Sequence, residues 1–255
     1  MEITEFVETL RLDGGLLADA AEEAGPDASI PACPDWRMRD LVRHVGRVHR
    51  WAAQIVTQGV QQPGRPAEAP ELSDDELVGW LREGHHHLVL ALHNAPRDLA
   101  AWSMWPAASP LAFWARRQAH ETSVHRVDAQ QALGAALTPL PAAFAADGVD
   151  ELLTGVHSLD RSRLRTDLPR TLRVRAGDAP GADWTVHLSE ARPRVVRTPA
   201  DAVADGPQPA QPADCTIEGP AEELYLTLWN RLPGDTLTIT GDKALVELWR
   251  EHGGV

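Results

Sequence analysis

The sequence predicts an α+β protein in which an antiparallel four-helix bundle is followed by a smaller domain of strands and helices. Three observations predict this fold class. Apolar residues recur at helical spacing as far as about residue 135. A proline-containing segment, residues 137–139, then interrupts this pattern, and short stretches of alternating apolar and polar residues follow it. We therefore divide the chain into residues 1–137 and residues 138–255.

Four amphipathic helices account for the first part of the chain. The first helix ends at the Gly-Pro pair of residues 25–26. Asp35 can cap the second helix, and the spacing of Ser73 and Glu76 predicts a capping box at the start of the third. Helices of this length predict an antiparallel bundle, whose interior is a common place for metal sites. The four predicted helices cover about residues 3–24, 36–55, 73–92 and 110–133.

The second part of the chain mixes short strands with helices. Helices are predicted over about residues 144–158, 220–229 and 244–252. Alternating apolar residues predict four strands, at about residues 171–175, 184–188, 215–218 and 235–240. Residues 198–213, which are rich in proline, alanine and aspartate, are interpreted as a surface loop.

Composition limits the class of protein. The 255 residues include 24 Lys and Arg against 37 Asp and Glu, a net charge of −13, which argues against nucleic acid or an anionic membrane as partner. No basic, apolar leader opens the sequence, and no apolar run approaches the roughly 18 residues of a membrane span. Two cysteines, Cys33 and Cys215, support neither a disulfide framework nor a thiolate zinc site. We therefore expect a soluble cytoplasmic protein.

The most informative stretch is residues 120–128, HETSVHRVD, on the predicted fourth helix. It has one residue more than the HExxH metalloprotease motif, so His120 and His125 point about 140° apart on the helix. Glu121 and His125 are four residues apart and share one face. Spacing alone leaves two interpretations open, a solvated Glu–His pair, which is the commoner situation, and half of a metal site.

A third ligand would have to come from another helix. His44 is the best candidate, because it lies on the apolar side of the second helix beside Leu41 and Val45. His49 is rotated away and is expected to meet solvent or a pocket rim. The run of histidines at residues 85–87 points in three directions on its helix, so we expect these side chains to be mostly solvated.

Residues 31–44, PACPDWRMRDLVRH, resemble the first signature of the mycothiol-dependent maleylpyruvate isomerase family. Residues 120–128 resemble the second signature of that family. Residues 145–151, AADGVDE, and residues 238–242, TITGD, resemble its domain junction and its C-terminal domain. The resemblance covers nearly the whole chain and implies a DinB-like four-helix bundle followed by a small α/β C-terminal domain.

The resemblance also implies a set of site residues. The metal ligands of the family map onto His44, Glu121 and His125, which would leave an open coordination position for zinc or another divalent ion. Asp128 can orient a ligand, or it can be a solvated carboxylate paired with an arginine. Arg231 corresponds to an arginine that the family uses, and it can bind a substrate carboxylate or form a surface or interdomain salt bridge.

The implied function is that of a mycothiol-dependent metalloenzyme. The metal would activate this low-molecular-weight thiol for attack on a small electrophilic substrate, giving either cis-trans isomerisation of a maleylpyruvate-type substrate or thiol S-transfer. The reactive sulfur would arrive with the cofactor, which accords with only two cysteines in the chain. Two alternatives are a metal-dependent hydrolase and a non-catalytic DinB-like protein that binds a metal or ligand.

Overall fold

The computed structural model of the chain describes residues 1–198 and 213–253, so most of the predicted surface loop at residues 198–213 lies outside the described residues. The chain divides into two compact units, Met1–Thr138 and Pro139–Val255. Within the described residues there are seven α-helices and a five-stranded mixed sheet. The α+β fold class predicted from the sequence is therefore confirmed.

The first unit contains four long helices, and their starting residues follow from local hydrogen bonds. The predicted capping box of Ser73 and Glu76 is present. The predicted cap Asp35 is wrong, because the N-cap residue is Arg37 and its N–H donates to the Asp40 carboxylate. The helices are α1 (Ile3–Ala24), α2 (Met38–Gln58), α3 (Asp74–Asn94) and α4 (Pro110–Leu133).

The helices do not all run antiparallel to their neighbours, and this corrects the sequence prediction. A Cβ atom on Gly46 would meet the ring of Trp80, and one on Gly84 would meet Arg50. These contacts advance in the same direction along both helices, so α2 and α3 are parallel. The contacts of α2 with α4 run in opposite directions, so that pair is antiparallel.

The long connection between α2 and α3 explains the parallel pair. Residues 59–73 can extend over about 50 Å, which exceeds the roughly 32 Å length of α2 with its 21 residues. The chain can therefore return to the starting end of α2 before α3 begins. Short connections would have imposed antiparallel neighbours throughout, and the sequence prediction assumed that geometry.

Three side chains on α2 hold this returning chain, which we call the crossover segment (residues 64–72). Trp51 Nε1 donates to the carbonyl of Gly64 at 2.9 Å. Arg47 donates to the carbonyls of residues 66 and 67 and to the carboxylate of residue 68. Arg43 donates to the carbonyl of Leu72 at 3.1 Å. The donors move back along α2 as the segment advances, so the segment runs antiparallel to α2.

The second unit begins with α5 (Ala142–Asp150), which continues through a π-helical turn (Glu151–Gly155) and a 3-10 turn (Val156–Ser158). Two further helices follow, α6 (Ala221–Leu228) and α7 (Ala244–His252). The strands are β1 (Arg170–Ala176), β2 (Asp183–Leu188), β3 (Arg194–Arg197), β4 (Cys215–Gly219) and β5 (Thr238–Gly241).

The sheet has the order β3-β2-β1-β4-β5, with β1 and β4 parallel and the other pairs antiparallel. Val174 of β1 stands opposite both Trp184 and Ile217, and all three side chains are buried. Strand β3 was missed by the sequence analysis. It is a short, largely exposed edge strand with arginine at both ends, so it lacks the alternating apolar signal of the central strands.

Among the described helices, none has the length and apolar character needed to cross a membrane.

Candidate metal centre

The three residues predicted to bind a metal lie together in the first unit. The Nε2 atom of His44, on α2, is 3.1 Å from Oε1 of Glu121, on α4. The Nε2 atom of His125, one turn further along α4, is 3.4 Å from the same oxygen. One donor atom from each residue lies within 4.8 Å of the other two. Because these donors converge from two helices, they form a candidate site for a single cation.

Asp128 orients the ring of His125. Its Oδ2 atom is 2.8 Å from Nδ1 of His125, and its side chain is fully buried. The alternative of a solvated carboxylate at this position is therefore wrong. An Nδ1–H that donates to Asp128 directs Nε2 towards Glu121, and this is the orientation that ligation through Nε2 requires.

Trp36 packs against both imidazole rings. The centroid of its indole lies 5.1 Å from that of His44 and 6.3 Å from that of His125, with the second pair stacked at 26°. The turn before α2 fixes Trp36, whose N–H donates to the carbonyl of Cys33 and whose carbonyl accepts from the N–H of Ile30. Trp36 precedes α2 in a segment without helical periodicity, so the sequence pattern alone does not assign it a role at the site.

The second carboxylate oxygen of Glu121 has a different partner. Arg117, one turn earlier on α4, donates from Nη2 to Oε2 of Glu121 at 2.7 Å. Arg117 is only 5% exposed. Arg117 is absent from the site predicted from the sequence, although its spacing of four residues from Glu121 places both side chains on one face of α4.

The protonation states at the site follow from these contacts. Burial raises the pKa of Glu121, but hydrogen bonds with His125 and His44 and the charge of Arg117 outweigh burial and hold that pKa well below its ordinary value. Burial lowers the pKa of His125, but hydrogen bonds with Asp128 and Glu121 outweigh it and raise the pKa to about 9. Glu121 is therefore ionised at neutral pH, and His125 must release a proton before Nε2 can bind a cation.

His49 does not meet solvent or a pocket rim, which corrects the sequence expectation. Its side chain is fully buried, and its Nε2 lies 2.9 Å from the hydroxyl of Thr122. Burial, with a smaller effect of the neighbouring charges, lowers the pKa of His49 to about 3. The rotation of His49 away from His44 directs its side chain into the contact between α2 and α4 rather than into solvent. His49 is therefore a core residue that is neutral at pH 7.

The histidines at residues 85–87 differ in their surroundings. His85 is partly buried and its Nε2 donates to the carbonyl of Leu10 at 3.0 Å. His86 and His87 are exposed, as the sequence analysis expected for most of the run. In the described part of the chain, His44, Glu121 and His125 are the cluster that could hold a metal ion.

Arg231 lies in the second unit, shortly after α6. It is buried, and its Nη1 donates to the carbonyl of Trp229 at 2.6 Å. The preceding residue, Asn230, has a positive φ of 59°, so the chain changes direction between the end of α6 and Arg231. Binding of a substrate carboxylate by Arg231 stays a prediction.

Two family models match the chain over most of its length. Residues 9–130 match the Mycothiol maleylpyruvate isomerase N-terminal domain, and residues 143–248 match the MDMPI C-terminal domain. The chain belongs to the mycothiol maleylpyruvate isomerase family. All three candidate ligands lie within the N-terminal match, and Arg231 lies within the C-terminal match. Membership of the isomerase family identifies the chain as an enzyme, as the sequence predicted.

Two solved structures are similar to this family member along nearly its whole length. One is a mycothiol-dependent maleylpyruvate isomerase, with 15% sequence identity and a TM-score of 0.60. The other is a histidine-to-alanine mutant of a mycothiol-dependent maleylpyruvate isomerase, with 14% identity and a TM-score of 0.62. Each match covers 94% of this chain and 93% of the other, which establishes a shared fold. No curated protein sequence matches the chain.

Proposed function

We propose that this family member is a mycothiol-dependent metalloenzyme whose divalent ion is held by His44, Glu121 and His125. The observation that carries the proposal is the convergence of two imidazole nitrogens and one carboxylate oxygen on one point. The buried Asp128 carboxylate supports it by fixing the ring of His125. Three such ligands with an open position are typical of catalytic zinc, so zinc is the metal that fits best.

The protein side chains prepare this site before any ligand arrives. A bound divalent ion would supply a Lewis acid that favours the thiolate form of a thiol at neutral pH. Glu121 offers Oε1 as an ionised donor, and Asp128 directs His125 Nε2 towards the same point. The indole of Trp36 limits rotation of both imidazoles. In this proposal the four helices of the first unit form the DinB-like bundle that carries the site.

Cys215 is poorly placed to act as a nucleophile, which supports an external thiol. Cys215 is buried in β4, and burial raises the pKa of its thiol. Cys33 lies in the turn before α2, where its N–H and carbonyl both form backbone hydrogen bonds. A thiol cofactor would therefore supply the sulfur, and mycothiol is the thiol in the name of the family.

The proposed substrate is a small electrophile that carries a carboxylate, of the maleylpyruvate type. We favour cis-trans isomerisation over thiol S-transfer because the N-terminal family model carries the isomerase name. In this proposal Arg231 binds the substrate carboxylate, since a guanidinium pairs with a carboxylate through two parallel N–H bonds.

The test combines metal content with a mycothiol-dependent isomerisation assay on maleylpyruvate. The wild-type protein is expected to bind one zinc ion and to need both metal and mycothiol for turnover. His44→Ala, Glu121→Ala and His125→Ala should each lose metal and at least about 100-fold in turnover. Arg82→Met, which removes an arginine that pairs with Asp19 and Glu22, serves as the folded control.

Three results would contradict the proposal. Full activity of metal-free protein would remove the metal from the mechanism. Turnover without any thiol would favour a metal-dependent hydrolase. Metal binding without turnover of any thiol and electrophile pair would favour a non-catalytic binding protein.

A further inference from the structure

Glu121 presents its two carboxylate oxygens to different partners. The Oε1 atom faces the two histidines, at 3.1 Å from His44 Nε2 and 3.4 Å from His125 Nε2. The Oε2 atom accepts a hydrogen bond from Arg117 Nη2 at 2.7 Å. The carboxylate is therefore divided between a metal-binding side and an arginine-binding side.

The position of Arg117 makes this division stable. Arg117 stands one helical turn before Glu121, and only 6% of its side chain is exposed. A guanidinium buried to this extent is costly unless a carboxylate compensates its charge. A charge-assisted hydrogen bond of 2.7 Å is among the stronger polar contacts in proteins. Oε2 would have to give up this bond before it could turn towards a cation.

We propose that Arg117 is a positioning residue that restricts Glu121 to one-oxygen ligation of the metal. The inference rests on the metal-binding function proposed above. Carboxylates can bind a cation through one oxygen or through both, and the choice decides how many coordination positions stay open. With Oε2 held by Arg117, the protein supplies three donor atoms, and the remaining positions are available to a thiol or a substrate.

Arg117 also changes the charge of the site. The positive charge of Arg117 partly neutralises the negative charge of the Glu121 carboxylate. The net positive charge at a divalent ion bound by Glu121 is therefore larger than it would be without Arg117. An anion such as a thiolate is attracted more strongly to that ion, whereas the ion itself is bound less strongly. The proposal therefore predicts that removal of Arg117 weakens the binding of an anion to the metal ion but does not weaken the binding of the metal ion itself. A purely structural ion pair would lower metal affinity when removed and would not alter the coordination number.

The test uses cobalt-substituted full-length protein, because the intensity of the cobalt d–d absorption falls as coordination number rises. Arg117→Met is expected to show a weaker d–d absorption than wild type, with cobalt affinity equal or tighter in competition with a chelator. Thiocyanate, a small anionic probe, should bind the cobalt site about tenfold more weakly in this variant. Arg117→Lys restores the charge and should recover part of both properties.

Arg82→Met is the matched control, since Arg82 pairs with carboxylates on α1 and has no contact with the metal ligands. It should keep the wild-type spectrum and thiocyanate affinity. If the wild-type protein binds no cobalt, the proposed function fails. If wild type binds cobalt and Arg117→Met keeps its spectrum and anion affinity, only the inference about Arg117 fails. Loss of cobalt binding from folded Arg117→Met and Arg117→Lys would equally overturn it, because Arg117 would then merely support the site.

Discussion

At the scale of a single side chain, Trp36 shows how a residue that does not bind the metal can restrict the orientation of the residues that would bind it. Its indole contacts both imidazoles, which come from two different helices. Packing of this kind reduces the number of orientations that each ring samples before a metal binds. Residues that orient metal ligands typically change metal affinity by about 10- to 100-fold when they are removed.

We therefore expect Trp36→Ala to weaken zinc binding by about tenfold or more while the fold is retained. Trp36→Phe keeps an aromatic face and should bind zinc nearly as well as wild type. Competition with a zinc-binding dye measures both affinities. Trp105→Phe, a change at a buried tryptophan that packs on Phe113, provides the control. Equal zinc affinity in Trp36→Ala and wild type would show that the contact has no positioning role.

Sequence reasoning placed Glu121 and His125 together because one helix fixes their relative geometry, whereas the surroundings of His49 depend on a neighbouring helix. Glu121 and His125 share a face of α4 because four residues complete about one turn, and Asp128 follows by the same rule. Arg117 obeys this rule as well and could have been predicted. Trp36 could not, because a turn rather than a helix sets its direction.

At the scale of elements, the crossover segment decides the arrangement of the first unit. Arg47 is central to it, since its guanidinium donates to two backbone carbonyls and one carboxylate in residues 66–68. His44 lies three residues earlier on the same helix. The candidate ligand His44 therefore lies between Arg43 and Arg47, two of the residues that hold the crossover segment.

Arg47→Leu should loosen the crossover segment. Loss of these hydrogen bonds is expected to lower the free energy of unfolding by about 1–2 kcal/mol. It should also speed proteolytic cleavage within residues 64–72, because separation of the segment from α2 then costs less free energy. Limited proteolysis followed by mass spectrometry measures the second effect. An unchanged cleavage rate in these residues would contradict the role of Arg47, and Arg82→Leu should leave that rate unaffected.

The elements themselves could be predicted from periodicity, but their directions could not. The observed α4 has the same limits as the predicted helix, residues 110–133. The parallel arrangement of α2 and α3 depends on where residues 59–73 travel, and no local pattern encodes that path. Strand β3 could not be predicted for a related reason. It is defined by its pairing with β2 and not by an alternating pattern of apolar residues in its own sequence.

At the scale of the whole molecule, buried histidines connect stability to pH. His157 is held in the second unit by a bond from Nε2 to the carbonyl of Gly253 and by a contact of Nδ1 with Ser162. Burial, with a smaller effect of the nearby Arg165, outweighs the opposing bond to Gly253 and lowers the pKa of His157 from 6.5 to about 4. The unfolded chain therefore takes up a proton first as the pH falls.

Stability should consequently decrease between about pH 6.5 and pH 4 and be fully present above pH 6.5. The slope from His157 is at most about 1.4 kcal/mol per pH unit. His157→Gln removes the titration while it keeps polar atoms, so its unfolding free energy should change less between pH 7 and pH 5. Urea unfolding at both pH values measures the difference. Parallel pH profiles for the variant and wild type would contradict this prediction.

The contacts between α2 and α3 have an evolutionary consequence. Each helix places a glycine where the other inserts a large side chain, Trp80 against Gly46 and Arg50 against Gly84. A side chain gained at either glycine would push the helices apart or displace α2 along its axis, and His44 would move with it. Residues 46 and 80 should therefore covary among close relatives, as should residues 50 and 84. Selection that preserves the metal site would then also act on Gly46 and Gly84, although neither glycine has a side chain that could bind a metal or a substrate.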